Sequence, residues 1–308
     1  MQVFRHLPAR SAKPLALTIG NFDGVHLGHQ AMLARLAAAA RERGLPAAVM
    51  TFEPRPREFF APDSAPARLT SLREKLELLR AAGVDQVYVC RFDQAFSRIS
   101  ADEFVSRILH AQLRVPWLLV GDDFRFGAKR VGDCALLSRY ATELGFELAV
   151  MPSVKLDGQR VSSTLVREAL AAGKMALVET LLARPYSLSG RIVHGDKIGR
   201  TLGFATANVR IKLRRPPLNG IFAVKMQVSA ASSLSGVASL GTRPTVIENG
   251  IWLLEVHAFD FRGDLYGKQV RVDFLHKIRD EARYPDLPTL TAQIARDAEE
   301  ARAFFSNY

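Results

Sequence analysis

Residues 20–29 read Gly20-Asn21-Phe22-Asp23-Gly24-Val25-His26-Leu27-Gly28-His29. An apolar run, Leu15 to Ile19, comes just before and has the length of a buried strand. A helical pattern follows, from about Gln30 to Arg43. The segment therefore predicts a strand-to-helix turn, where unpaired backbone N–H groups and the helix dipole favour an anion. His26 and His29 are three apart and share a face of a helical first turn. Gly24 and Gly28 let a phosphate come close to the backbone. The turn suits a nucleotide phosphate chain.

Outward from this turn, residues 1–185 alternate short apolar runs with helical patterns. Strands are predicted at Ala47–Phe52, Gln86–Cys90, Trp117–Val120 and Glu147–Val150, and helices near Leu72–Ala82, Ala101–Gln112, Asp133–Leu144 and Thr164–Ala172. Ser100 and Glu103 have capping-box spacing, and Gly44, Gly83, Gly145 and Gly173 stand where helices should stop. Such alternation implies a doubly wound parallel sheet with its ligands beyond the carboxyl ends of the strands.

The pattern changes near Arg184-Pro185-Tyr186. Beyond it lie Tyr186–Val193, Ile221–Val228, Gly236–Leu240, Ile251–Phe261 and Gln269–Phe274, separated by turn residues such as Asn219-Gly220 and Gly263-Asp264. Short strands punctuated this way predict a closed antiparallel, Greek-key-like barrel. A terminal helix, about Leu290 to Phe305, carries Leu290, Ile294, Ala301 and Phe304 at helical spacing. Two domains are expected, residues 1–185 and 186–308.

Composition limits the choices further. The 308 residues are 48% hydrophobic, enough for a real core, and no apolar run reaches membrane-spanning length. Met1 to Lys13 lacks a signal-like apolar centre, and Cys90 and Cys134 are the only cysteines, so a reducing cytoplasm is expected. The net charge is +11, shared evenly: residues 186–308 hold 17 Lys and Arg against 12 Asp and Glu, or +5, leaving +6 for residues 1–185. No basic tail concentrates the charge, and it suits a protein that handles phosphorylated ligands.

The motif His26-Leu27-Gly28-His29 resembles the His-x-Gly-His signature of nucleotidyltransferases, and the longer Gly20–Gln30 string resembles bacterial bifunctional riboflavin kinase/FAD synthetases. Further motifs of that family follow in order: Thr51-Phe52-Glu53-Pro54-Arg55-Pro56, Gly121–Gly127 and Ser162–Arg167. The resemblance implies a Rossmann-like adenylyltransferase domain in which FMN attacks the α-phosphorus of ATP. It implies catalytic roles for His26, His29 and Arg167, and ATP contacts from Gly20, Phe22, Asp23, Gly24, Gly28, Ser163 and Thr164. It places the flavin near Pro54, Pro56, Phe60, Asp123 and Phe126.

In the second half, Gly190–Gly203 is a glycine-rich, basic stretch, and Phe204-Ala205-Thr206-Ala207-Asn208 resembles the Pro-Thr-Ala-Asn signature of riboflavin kinases. The resemblance implies ATP contacts from Gly195, Lys197, Gly199, Arg200 and Gly203, magnesium held through Thr206 and Asn208, and flavin contacts from Arg279 and Arg283. Ala205 replaces the family proline, which would leave the loop less rigid. Along Leu253–His257, alternation puts Glu255 and His257 on one face and Leu254 and Val256 on the other. Glu255 stands at the family's general-base position, and Gly241–Thr245 and Phe259–Gly267 extend the match.

The expected partners are riboflavin, FMN, FAD and ATP with Mg2+, with no nucleic acid and no membrane. Two alternatives remain open at this level. Another His-x-Gly-His adenylyltransferase would leave Thr206, Asn208 and Glu255 unexplained. A basic nucleic-acid-binding protein on an enzyme-like fold would show steep salt dependence on a generic duplex.

Overall fold

The computed structural model describes residues 1–194, 204–213, 215–229, 232–242, 252–261 and 263–308. The chain divides into two compact units, one of residues 1–66 and 72–162, the other of residues 67–71 and 163–308.

The first unit is built on a six-stranded sheet. Its strands are β1 (Gln2–Phe4), β2 (Ala16–Ile19), β3 (Ala47–Glu53), β4 (Gln86–Arg91), β5 (Trp117–Gly121) and β6 (Glu147–Met151), in the order β1-β4-β3-β2-β5-β6. All neighbours are parallel. Parallel strands need crossovers, and helices on both faces supply them. The two-residue period then sorts the core. Leu15, Leu17, Ile19, Met50 and Leu118 lie in one buried cluster, while Ala16, Val49, Val87 and Leu119 lie in the other. The chain builds outward in both directions from β2, so the topological switch point lies between β2 and β5. Ligands of such sheets bind at this point, beyond the carboxyl ends. The turn at residues 20–26 leaves β2 there.

The helices of this unit are α1 (Leu27–Glu42), α2 (Pro56–Phe60), α3 (Leu72–Ala81), α4 (Gln94–Ser97), α5 (Ala101–Glu103) and α6 (Cys134–Leu144). Ser100 caps α5 by accepting from the Glu103 N–H, and Asp133 caps α6 through the Leu136 N–H. A π-helical segment, Phe104–Gln112, continues α5 where the sequence predicts a single regular helix. A small hairpin, β7 (Lys155–Leu156) and β8 (Gln159–Arg160), closes the unit.

The second unit is a closed antiparallel barrel of β9 (Tyr186–Val193), β10 (Ala207–Ile211), β11 (Gly220–Ser229), β12 (Ser232–Thr242), β13 (Trp252–Ala258) and β14 (Gln269–Arg279), in the order β10-β13-β12-β11-β14-β9. Phe222, Val224, Leu254, Val256, Val272 and Phe274 are buried, with at most 1% exposure. A Cβ on Gly190 would fall 2.4 Å from the Arg210 carbonyl oxygen, so only glycine lets β9 and β10 close here. The same unit contains α7 (Ser163–Ala171) and α8 (Met175–Leu182), which the domain expectation assigns to the first half. Met175, Val178, Leu181 and Leu182 of α8 are buried, and α8 packs on β9 and β14. Burial contributes about 1.5–3 kcal/mol per large apolar side chain. The terminal helix, α9 (Leu287–Ser306), begins at the Asp286 cap and buries Ala298 and Ala301 against Ile221, Ala223 and Val237.

Candidate functional site

The turn after β2 is tightly wound. Phe22, Gly24 and Val25 have φ of 47°, 81° and 43°. Left-handed backbone suits Gly24 but costs a non-glycine residue on the order of 1–3 kcal/mol, and it is least tolerated by β-branched valine. Burial of the Phe22 and Val25 side chains against Leu33 and Leu36 offsets that cost. The turn delivers His26 as the N-cap of α1, where its Nδ1 accepts from the His29 N–H at 3.4 Å. The two imidazoles stack with centroids 3.7 Å apart and an interplanar angle of 18°, and Phe22 backs His29 at 5.0 Å. His29 Nδ1 is buried with no hydrogen-bond partner among the described residues. Burial holds the His29 imidazole well below 6.5, with the charges of His26 and Lys75 acting the same way. The ring is neutral at physiological pH. A Cβ on Gly28 would lie 3.2 Å from the His26 ring, so the space beside this glycine belongs to that ring rather than to an approaching phosphate.

Beneath the turn lie two charged residues, Arg55 and Lys75, outside the site read from the sequence. Arg55 is 7% exposed and Asp23 is 3% exposed, and Arg55 Nη1 donates to Asp23 Oδ2 at 2.5 Å. The Arg55 Nε and Nη2 groups donate to Glu58 Oε1 at 3.0 and 2.6 Å, and Nη2 donates to the Pro66 carbonyl at 2.8 Å. Lys75 is 2% exposed; its Nζ donates to Thr51 Oγ1, which in turn donates to the Asn21 carbonyl. Faint signals existed for both. Arg55 and Glu58 have the spacing of a helix cap, and Lys75 falls on the apolar stripe of Leu72, Leu76 and Leu79.

The residues expected at the flavin divide by exposure. Pro56 opens α2, and Phe60 at its end is 66% exposed. Phe126 is buried, with Phe104 and Phe124 at 5.5 and 5.6 Å. A run of ring contacts, Phe60–Phe92–Phe96–Phe104–Phe126, connects the two. Asp123 is exposed and ion-paired to Arg160 at 2.5 Å. In the other unit, Ser163 and Thr164 begin α7, and Arg167 Nε donates to the Ala67 carbonyl at 2.6 Å.

On the barrel, strand register does what the sequence could not. Asn208 of β10 stands directly opposite Glu255 of β13, and Ser239 of β12 flanks Glu255 on its other side. Such partners share a face with Cβ atoms about 4.5–5.5 Å apart. Asn208 is 6% exposed and its Oδ1 is buried with no hydrogen-bond partner among the described residues. Thr206 lies two residues upstream. The loop there is fixed by a contact the sequence did not disclose: the His257 ring Nδ1 and the Ala205 carbonyl are 3.0 Å apart, with Phe204 and Phe259 against the ring edges. Ala205, where the resemblance implies a proline, is therefore held by a side chain.

Arg279 is bound to the terminal helix, its Nε and Nη2 donating to both Asp297 oxygens at 2.8 and 2.6 Å. This bidentate pair anchors α9, a role that a flavin assignment does not include. Arg283 is exposed in the loop before α9. Gly195, Lys197, Gly199, Arg200, Gly203 and Arg243–Thr245 lie outside the described residues.

A family model for FAD synthetase matches residues 9–165, and one for riboflavin kinase matches residues 182–305. The bifunctional riboflavin kinase/FMN adenylyltransferase of Haemophilus influenzae is 47% identical over 310 residues, covering 100% of both chains. The chain belongs to the bifunctional riboflavin kinase/FMN adenylyltransferase family. The Escherichia coli K12 protein of the same name is 51% identical over 94% of this chain and 92% of its own. A Streptococcus pneumoniae crystal structure described as a macrolide-efflux protein has a TM-score of 0.84 at 28% identity, covering 98% of this chain and 99% of that one. Among the described residues here, no helix is long and apolar enough to cross a membrane. As a family member the chain is an enzyme of two activities, riboflavin kinase and FMN adenylyltransferase, and the two matches fall on the sheet and the barrel respectively.

Proposed function

We propose that the two reactions run at separate sites, adenylylation of FMN on residues 1–185 and phosphorylation of riboflavin on residues 186–308, in the cytoplasm. The observation that carries this reading is the pairing of each family model with its own set of site residues: the stacked His26 and His29 in one half, and the register-matched Asn208 and Glu255 in the other.

For adenylylation the nucleophile, an FMN phosphate oxygen, is already an anion. It attacks the α-phosphorus of ATP and expels pyrophosphate, so catalysis is chiefly positioning and charge stabilisation. His26 and His29 donate to the phosphate oxygens. With His26 Nδ1 accepting from the backbone, its Nε2 carries the proton it donates. Gly20, Phe22, Asp23 and Gly24 shape the turn that receives the triphosphate. Ser163, Thr164 and Arg167 supply anion contacts at the start of α7. Pro54, Pro56 and the exposed Phe60 cover the isoalloxazine, Phe126 lies at the buried end of the aromatic run, and Asp123 is a polar anchor.

For phosphorylation, Glu255 accepts the proton of the riboflavin terminal hydroxyl as its oxygen attacks the γ-phosphorus. Thr206 and Asn208 would hold Mg2+. The fit rests on the orphaned Asn208 Oδ1, a hard oxygen of the kind magnesium prefers, and on the neighbouring Thr206 hydroxyl. When bound, the ion neutralises charge on the ATP phosphates. Gly195, Lys197, Gly199, Arg200 and Gly203 complete the ATP site, and Arg283 reaches the flavin, with Arg279 fixing α9 beside it.

The test is incubation with riboflavin, ATP and MgCl2, followed by separation of flavins over time. FMN should appear first and FAD after it. Absence of both products overturns the reading. FAD formed from supplied FMN without any riboflavin phosphorylation overturns the kinase assignment alone.

A further inference from the structure

Arg55 touches both sides of the adenylylation site at once. Asp23 sits in the strained turn, between Phe22 and Gly24, that receives the nucleotide. Glu58 is the third residue of α2, the helix whose two ends carry Pro56 and Phe60. Arg55 joins these carboxylates through one planar guanidinium, and its backbone N–H adds a bond to Glu58 Oε2 at 3.0 Å. Both ion pairs are largely shut off from solvent: the Arg55, Asp23 and Glu58 side chains are 8%, 4% and 18% exposed. Separating a buried ion pair is costly, so a displacement of one of these groups is passed to the others through the shared guanidinium. A phosphate chain that shifts Asp23 shifts Glu58, and with it the flavin helix.

We propose that Arg55 is a positioning residue that couples the nucleotide turn to the flavin helix, so that ATP raises the affinity for FMN and FMN raises the affinity for ATP by the same factor. The inference rests on the adenylylation site proposed above. An arginine is required because its fork holds two carboxylates at fixed angles, which a lysine point charge does not.

The experiment measures initial rates of FAD formation from supplied FMN by the full-length enzyme over a grid of ATP and FMN concentrations. The grid yields the interaction factor between the two substrates. In the unaltered enzyme the KM for FMN should fall about fivefold or more from trace to saturating ATP, a typical size for coupled sites. Glu58→Ala should bring that factor close to one while kcat at saturation of both substrates stays within about threefold. Arg55→Lys, which keeps a positive charge beside Asp23, should do the same. Thermal unfolding of each full-length variant, followed through the sheet unit, verifies folding, and should any Arg55 variant fail to fold, Glu58→Ala decides alone. An interaction factor of one in the unaltered enzyme, or an unchanged factor in Glu58→Ala, overturns the coupling. Failure of the unaltered enzyme to make FAD overturns the site reading and the coupling together.

Discussion

The sheet turn and the barrel face hold their candidate site residues in opposite ways. Around His26 and His29 the backbone is wound through two left-handed non-glycine residues, and a layer of buried Asp23, Arg55, Thr51 and Lys75 with half-buried Glu58 lies beneath. On the barrel, strand register sets Asn208 opposite Glu255, and Asn208 keeps a buried oxygen with no partner among the described residues. A loop site needs a second layer to keep its shape, because its backbone has no ladder. A strand site inherits its geometry from the hydrogen bonds of its neighbours. The first should therefore be sensitive to residues that touch no substrate, the second mainly to the reacting groups themselves.

The sharpest way to separate the two is Glu255→Gln. The change keeps size and hydrogen bonding but removes the proton acceptor, so riboflavin phosphorylation should fall roughly 10²- to 10⁴-fold. FAD formation from supplied FMN should continue. Steady-state rates of the two half-reactions check this, and near-normal kinase turnover would make Glu255 an ordinary surface glutamate. A large rise in riboflavin KM with kcat unchanged would make it a substrate anchor instead.

His29→Ala is the mirror experiment. Loss of one donor to the developing charge should lower FAD formation by about two to three orders of magnitude and spare FMN formation. An equal fall in both rates would point to a folding defect and dissolve the contrast between the halves.

Fragments test the boundary. The domain expectation holds that residues 186–308 fold alone and phosphorylate riboflavin. The packing of α8 on β9 and β14 adds that a fragment of residues 163–308 should be the more stable of the two, because the shorter one uncovers the sites of Met175, Val178, Leu181 and Leu182. Denaturant midpoints of both fragments measure the difference. Equal midpoints would show that α8 does not support the barrel.

The smallest expected effect is a pH dependence peculiar to the first half. Burial depresses the folded pKa of His29 below 6.5, the value the unfolded chain keeps. Below that pH the unfolded chain takes up a proton that the folded one refuses, so this contribution is intact above about 6.5 and is lost as pH falls toward the folded value. The thermal midpoint of the unaltered enzyme should drop by a few degrees more than that of His29→Asn between neutral and mildly acidic pH. Parallel curves would mean that His29 is not buried neutral.

Much of this molecule was written in its local sequence. Alternating and helical periods placed Ala47–Phe52, Gln86–Cys90 and Tyr186–Val193 within a residue of β3, β4 and β9. The expected helix stops at Gly44, Gly83, Gly145 and Gly173 all carry positive φ. Short-range rules suffice there, because capping, turn chemistry and side-chain period act over a few residues. The short elements β1, β10, α2 and α8 escaped, since three to eight residues give too few repeats of either period to stand out.

The sequence by itself determined the two activities, the longer strands and helices, and the histidines and glutamate on which each reaction is proposed to turn. Tertiary structure decided which groups meet. Asn208 faces Glu255 only because β10 and β13 pair in one register, and nothing local to either strand sets that register. His257 reaches the Ala205 carbonyl, and Arg55 finds Asp23, for the same reason: both contacts cross between elements whose relative placement is fixed by the packed core. Arg55 and Lys75 are charges that a reading by polarity would leave in water. They are buried because folding supplied them with partners, and a buried charge is stable only when its partners are already in place.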